Sequence, residues 1–316
     1  MRIVFLGTPD FAVPTLDRVF QAGHEVAAVV TQPDRAKGRG QKVAPPPVKE
    51  TALRLGIAVH QPERIRTPEM AGLLASLKPD AMVVVGYGKI IPQAIIDIAP
   101  HGIVNVHASL LPKYRGAAPV QWAIARGETE TGVTTMRIDA GLDTGDILLQ
   151  RATAIGPEET ASELAARLAT IGADLLVATL AGLDCGEIHP RPQDSTQATF
   201  APVLEKEDGR IDWTRPAREI VDRIRGFTPW PGCHTHLRGK VLEIPRARVV
   251  CGAGDSACLQ PGSLHPIRSR LVVTCGEGTA LEILEAQLEG RKRMSAADFQ
   301  NGYHLRENEL VGETIQ

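Results

Sequence analysis

The feature that most limits the fold is an alternation of short apolar runs with helical periods across the first half of the chain. Ile3 to Leu6 is an apolar run stopped by Gly7-Thr8-Pro9-Asp10. Val13, Leu16, Val19 and Phe20 then recur at helical spacing before a second β-like run, Glu25 to Thr31. Further strand-like runs at Ala81 to Val85, Ile103 to His107, Thr134 to Ile138 and Ile147 to Leu149 are separated by helical patterns such as Met70 to Leu77. This order predicts an α/β fold: a Rossmann-like, mostly parallel sheet covered by helices. Thr160-Ala161-Ser162-Glu163 has capping-box spacing, and Leu164, Leu168, Ile171 and Leu175 continue the period, so a long helix should close the domain near Gly182.

The pattern fails from Glu187 to Pro202, where Pro190, Pro192, Gln193 and Asp194 bury little. A length of 316 residues with 43% hydrophobic content fits two domains and excludes a single small binding module. The expected division is 1–188, a linker at 189–207, and 208–316. Beyond the linker a short helix from Ala217 to Arg225 precedes β-like runs at His234 to Leu237, Val241 to Ile244, Leu271 to Thr274 and Leu281 to Leu284, the spacing of a small barrel or sandwich. No apolar run approaches the roughly 20 residues that cross a bilayer. The apolar start is also too short for a secretory signal, so a cytoplasmic location is expected. The five cysteines form no Cys-x-x-Cys pair and read as reduced structural thiols, Cys185 and Cys251 as packing residues, with no zinc framework.

A net charge of −2 requires any polyanionic partner to meet a local patch. From Pro33 to Lys49, Arg35, Lys37, Arg39, Lys42 and Lys49 stand against Asp34 alone; this is either a docking loop or a solvated, mobile one. Pro45-Pro46-Pro47 should be extended and stiff. Residues 206–248 carry ten basic and six acidic side chains, a second, weaker patch.

Three segments could hold chemistry. The first turn, Gly7 to Ala12, lacks the second and third glycines of a dinucleotide site and reads as a turn bordering a pocket. In Ile103 to His107, strand alternation puts Asn105 and His107 on one face, about 7 Å apart, at the carboxyl end where open sheets hold ligands. Either they satisfy nearby backbone or they face a ligand. Asp139 to Asp146 holds three carboxylates and two glycines. Its spacing does not fit a helix-loop-helix calcium site. It is a glycine-rich turn, or it delivers one aspartate to the imidazole.

Together these residues resemble the methionyl-tRNA formyltransferase family over nearly the whole chain. The likeness rests on Phe5 to Ala12, Thr31-Gln32-Pro33-Asp34-Arg35, Asn105-x-His107-x-Ser109-Leu110-Leu111-Pro112, Gly141 to Asp146, Phe227-Thr228-Pro229-Trp230-Pro231 and Lys292 to Ala296. The resemblance implies an OB-like C-terminal β-barrel that binds tRNA, and Asn105, His107 and Asp143 as the catalytic set. It implies 10-formyltetrahydrofolate as formyl donor, with no metal. Ser109, Leu110, Leu111 and Pro112 would lie against the folate. The pterin would lie in a cleft lined by Tyr87, Gly88, Ile90 and Ile91, and by Asp139, Ala140 and Gly141. It implies initiator methionyl-tRNA as acceptor, met by Arg35, Lys37, Arg39, Lys42 and Lys206, and a monomer off the membrane. A small amine such as a glycinamide nucleotide or amino sugar is the alternative acceptor. Val203 stands where the family's linker usually has a lysine.

Overall fold

The computed structural model describes residues 1–37, 42–250 and 260–312. They form two compact units, Met1–Pro119 with Glu130–Ala154 and Ala165–Ala201, and Val120–Thr129 with Ile155–Leu164 and Pro202–Gln316. In chain order the first elements are β1 (Arg2–Gly7), α1 (Val13–Gln21), β2 (Glu25–Val30), β3 (Arg35–Lys37), β4 (Lys42–Ala44), α2 (Pro47–Arg54), β5 (Val59–His60), α3 (Pro68–Ser76) and β6 (Ala81–Val85). They continue with α4 (Gln93–Ile96), β7 (Ile103–His107), β8 (Arg115–Gly116), α5 (Pro119–Ala125), β9 (Glu130–Arg137), β10 (Ile147–Ala154), α6 (Ala161–Asp184) and β11 (Phe200–Ala201).

The main sheet of the first unit runs β10-β9-β7-β6-β1-β2-β5. From β5 to β7 every pairing is parallel, while β9 and β10 are antiparallel. Chain order therefore reverses at β1, the arrangement that opens a crevice at the carboxyl ends of the strands. Strands buried on both faces read as continuous apolar runs, which is why β1 and β6 are legible in the sequence. On one face Val4, Leu6, Met82, Val84 and Ile103 pack with Met70 and Leu74 of α3. On the other lies α6, so close that a Cβ at Gly172 would press on Val106 and Val133.

Several sequence expectations change here. Within the basic segment, read from the sequence as a docking loop or a solvated, mobile one, Arg35–Lys37 and Lys42–Ala44 pair as antiparallel strands, with Arg35 opposite Ala44 and Lys37 opposite Lys42. Pro46 is extended, but Pro47 opens α2, where a missing N–H costs nothing. Among the described residues one helix, α6, is long and apolar enough to cross a membrane by length and composition, with an 18-residue window of mean hydropathy 1.6. It makes no continuous apolar run because Arg167, Thr170, Gly172, Asp174 and Thr179 interrupt the Ala, Leu, Ile and Val that raise the mean. Half of that window is buried inside the protein, as in a core helix. Residues 191–201, which lack periodicity, are tied into the first unit. Ile147 and Arg191 exchange backbone hydrogen bonds of 2.8 and 2.9 Å, and β11 pairs in parallel with β8.

The second unit adds α7 (Ala217–Gly226), β12 (His234–Leu237), β13 (Lys240–Val249), β14 (Ser263–Ile267), β15 (Arg270–Thr274), β16 (Ala280–Leu288), β17 (Met294–Ser295), α8 (Ala296–Tyr303) and β18 (Glu309–Leu310). Its antiparallel sheet runs β12-β13-β16-β15-β14-β18, with β17 on β16. Gly312, just past β18, donates to the His236 carbonyl of β12 at 3.0 Å, so the sheet is a nearly closed barrel. In this unit Arg225 is buried, donating to the carbonyls of Gly156 (3.1 Å) and Glu159 (2.8 Å) and to Asp222 Oδ1 (2.6 Å). Cys233 and Cys275 are buried, and desolvation pushes both thiols up to about 12. Cys185 is exposed, not packed, because it follows the end of α6. Cys251 and Cys258 lie outside the described residues.

Candidate active site

Strand β7 is the spine of the site. Ile103 packs into the apolar cluster on one sheet face and Val106 against α6 on the other, so alternation puts Asn105 and His107 on the Ile103 side. Asn105 is half-buried between Val84 and Met136 on the neighbouring strands. Among the described residues none hydrogen-bonds its side chain, which leaves the carboxamide's two donors for a ligand.

His107 is 6% exposed. Its Nε2 lies 3.0 Å from the Tyr114 carbonyl oxygen. A carbonyl can only accept, so Nε2 carries a hydrogen and proton exchange is left to Nδ1. Asp143 Oδ2 faces Nδ1 at 3.6 Å, beyond a direct hydrogen bond but within ion-pair reach. The aspartate thus arrives at the imidazole, as one of the two sequence readings of its loop expects.

The route is indirect. In the antiparallel register β9 passes His107 at Thr134 and ends at Arg137 opposite Val104, so the chain leaves the sheet three residues, about 10 Å, beyond His107. The loop from 138 to 146 folds back to cover that distance. Asp143 sits in the left-handed region at φ 51°, and its Oδ2 accepts from the Gly116 amide at 2.9 Å. Gly145 has no room for a Cβ against the Arg137 carbonyl. Asp139 accepts from Gly141 N at 3.0 Å and from Thr144 Oγ1 at 2.8 Å, closing a turn of the Asx type. The glycine-rich turn and the delivered aspartate are both present. Among the described residues no three His, Cys, Asp or Glu side chains are grouped as metal ligands.

The remaining sequence candidates are distributed unevenly. Ser109 is buried, and its hydroxyl donates to the Lys113 carbonyl at 2.6 Å rather than standing free. Leu111 is buried against Met136 and Ile147, while Leu110 and Pro112 are half-exposed. The Tyr87 ring is buried in the apolar cluster, with its hydroxyl unpartnered and pushed up to about 12 by desolvation. Its main-chain carbonyl accepts from Gln32 Nε2 at 2.9 Å and from Thr8 Oγ1 of the first turn at 3.4 Å. Gly88 and Ile90 are exposed and Ile91 is buried; Asp139, Ala140 and Gly141 are exposed.

Among the basic candidates, Arg35 is exposed, Lys37 and Lys42 are backbone partners in the β3–β4 register, and Lys206 is exposed in the second unit. Arg39 lies outside the described residues. Lys49 pairs with Asp34 at 2.8 Å and adds nothing to the first patch. The second patch is partly neutralised: Arg215, Arg218 and Arg225 pair with Glu219 and Asp222 of the same segment, and Arg238 and Arg248 pair with Glu309 and Glu282 from beyond it. A cavity of about 680 Å³ in this unit, bordered by Arg210, Trp213, Arg215 and Arg223, contains none of the candidate catalytic residues.

Residues 1–180 match the formyl transferase family and residues 203–304 the formyl transferase C-terminal domain. The methionyl-tRNA formyltransferase of Solibacter usitatus (strain Ellin6076) is 63% identical, over 99% of this chain and 99% of that protein. The chain belongs to the methionyl-tRNA formyltransferase family. That of Koribacter versatilis (strain Ellin345) is 56% identical over the same shares. Among solved structures, WlaRD, a sugar 3N-formyl transferase in the presence of dTDP and 5-N-formyl-THF, has a TM-score of 0.67 at 19% identity, covering 92% of this chain and 99% of its own. HypX from Aquifex aeolicus in complex with tetrahydrofolic acid has a TM-score of 0.64 at 17% identity, covering 99% of this chain and 51% of its own. Those two likenesses speak to the formyltransferase fold.

Tyr114, Arg115 and Gly116 are candidate-site residues that the sequence does not point to, and Gln193, expected there to bury little in a linker, is instead bonded to Arg115 and to the loop of Asp143. All lie in segments without periodicity, where a sequence gives no hint of which side chain turns inward.

Proposed function

We propose that this chain transfers the formyl group of 10-formyltetrahydrofolate to the α-amino group of methionine esterified to initiator tRNA. The pairing of His107 Nδ1 with Asp143 Oδ2 beside an uncommitted Asn105 carries the chemistry. End-to-end identity with proteins named methionyl-tRNA formyltransferase supports the acceptor.

When bound, the folate supplies the formyl group at N10. An α-amino group titrates at about 8, so a usable fraction is neutral and nucleophilic near pH 7. As the amine nitrogen bonds to the formyl carbon, negative charge develops on the formyl oxygen. Asn105 donates to it through the carboxamide, and imidazolium His107 through Nδ1–H, Nε2–H being held by Tyr114. Asp143 stabilises the imidazolium and takes up the proton released by the amine; His107 delivers the Nδ1 proton to N10 as the C–N10 bond breaks. The buried position of His107 keeps this exchange out of bulk water.

In this reading residues 1–188 hold the catalytic side chains, 189–207 connect the two domains with their first part, to Ala201, bound into the first unit, and 208–316 contribute tRNA contacts. Ser109 to Pro112 meet the folate largely through their main chain and apolar surface, and the main chain of 87–91 with 139–141 borders the pterin. Arg35, Lys37, Arg39, Lys42 and Lys206 meet phosphates, which position RNA without reading sequence.

Arg39→Ala tests the acceptor assignment. Loss of one charge-assisted phosphate contact raises KM for charged Met-tRNA about tenfold, with kcat little changed. The logarithmic salt slope of tRNA binding also falls by about 0.7–0.9. Activity and slope both equal to those of the unsubstituted protein would remove the basic segment of residues 33–49 from tRNA docking.

A further inference from the structure

The side chain of Gln193, in the segment that follows α6, uses all four of its hydrogen-bonding positions. Its NH₂ donates to the main-chain carbonyls of Asp143 (2.9 Å) and Gly145 (2.7 Å). Its Oε1 accepts from Arg115 Nε (3.0 Å) and Nη2 (2.7 Å). This fixes the amide's orientation, because a flipped carboxamide would set its oxygen against two carbonyls and its NH₂ against a guanidinium. Arg115 is 5% exposed, so its charge is desolvated and strongly directed towards the one carboxamide oxygen. The same short stretch supplies the Gly116 amide that holds Asp143 Oδ2. Asp143 is therefore gripped at both ends, main chain by Gln193 and carboxylate by Gly116, in a left-handed conformation that residues other than glycine seldom adopt unaided.

We infer that Gln193, oriented by Arg115, is a positioning residue for formyl transfer: it holds the loop of Asp143 folded back over β7 so that the carboxylate faces His107 Nδ1. This rests on the catalytic reading of Asp143 given above. Gln193 touches neither reacting atom in that reading, so its effect is on kcat. Gln193→Glu is the sharpest probe, because it keeps an acceptor for Arg115 while turning both donors to the loop into a repelling oxygen.

The test compares Gln193→Glu, Asp143→Asn and the double variant in steady-state formyl transfer, with thermal melting of each. Asparagine tolerates the left-handed region, so Asp143→Asn removes the charge with the loop retained. The expected result is a fall in kcat of about 10²-fold for Gln193→Glu, the low end of a general acid–base contribution. KM for donor and acceptor should stay within about threefold, and the double variant should be no slower than Asp143→Asn alone. Gln193→Asn, which keeps the amide on a shorter stem, should recover part of the lost kcat. If Asp143→Asn is inactive while Gln193→Glu keeps its kcat, the positioning role is overturned and the catalytic reading stands. Effects that multiply in the double variant overturn it too. If Asp143→Asn itself is fully active, the catalytic reading is what fails. Should the glutamate variant not fold, Gln193→Ala, which brings no charge, carries the same comparison.

Discussion

Replacing His107 by alanine lowers the single-turnover rate of formyl transfer by about 10³–10⁴-fold. The substitution removes the Nδ1–H donor to the developing oxyanion and the proton source for the leaving nitrogen, and it leaves Asp143 without its partner. These losses do not multiply, because the residues act as one unit. The Tyr114 carbonyl also loses its partner, but Tyr114 belongs to a turn with its own tie, its amide donating to Thr199 Oγ1 at 2.9 Å. The fold and tRNA affinity should therefore survive, which melting and binding measurements on the same sample will show. A rate within tenfold of the unsubstituted protein would remove the imidazole from the chemistry.

The second large effect is on stability. Arg225→Ala strips Asp222 of its buried partner; that side chain is 4% exposed, and only the more exposed Arg218 then remains to balance it, at 3.0 Å. The carbonyls of Gly156 and Glu159 also lose donors. Breaking a buried pair from one side costs about 3–5 kcal/mol, which lowers Tm by about 10 °C in a domain of this size class. Replacing both partners by apolar residues, Asp222→Leu with Arg225→Met, leaves no stranded charge and should cost less than Arg225→Ala alone. Calorimetry on the three proteins checks this, and a single variant melting within about 2 °C of the parent would contradict it.

Where a sequence was informative, the reason is physical. Strands β6 and β7 were legible to the residue because a parallel strand covered on both faces must be apolar throughout. Asn105 and His107 stood out as exceptions within such a run. The paired strands β3 and β4 were not legible, since each is three residues long and carries basic residues, and pairing rather than burial defines them. Strand β14 was missed because His265 and Pro266 interrupt its apolar pattern, although the His265 ring is buried and bonded to Thr274 Oγ1 at 2.8 Å. The catalytic loop was half legible: its glycines announced a turn, but the register that strands Asp143 one loop away from His107, and the Gln193 side chain that holds it there, depend on long-range pairing. The charge balance of 206–248 overstated the second patch, because Glu309 and Glu282, which pair with Arg238 and Arg248, lie beyond that segment in the sequence.

The most direct measurement gives the purified protein a labelled 10-formyl donor and three acceptors in parallel: charged initiator Met-tRNA, free methionine and an amino-sugar nucleotide. Label should pass to the tRNA-borne methionine amine, with the two small amines formylated at least about 10²-fold less efficiently, as expected where remote binding energy positions the reacting group. Formylation of the sugar amine at equal or greater efficiency, or no transfer to any acceptor, would contradict the assignment.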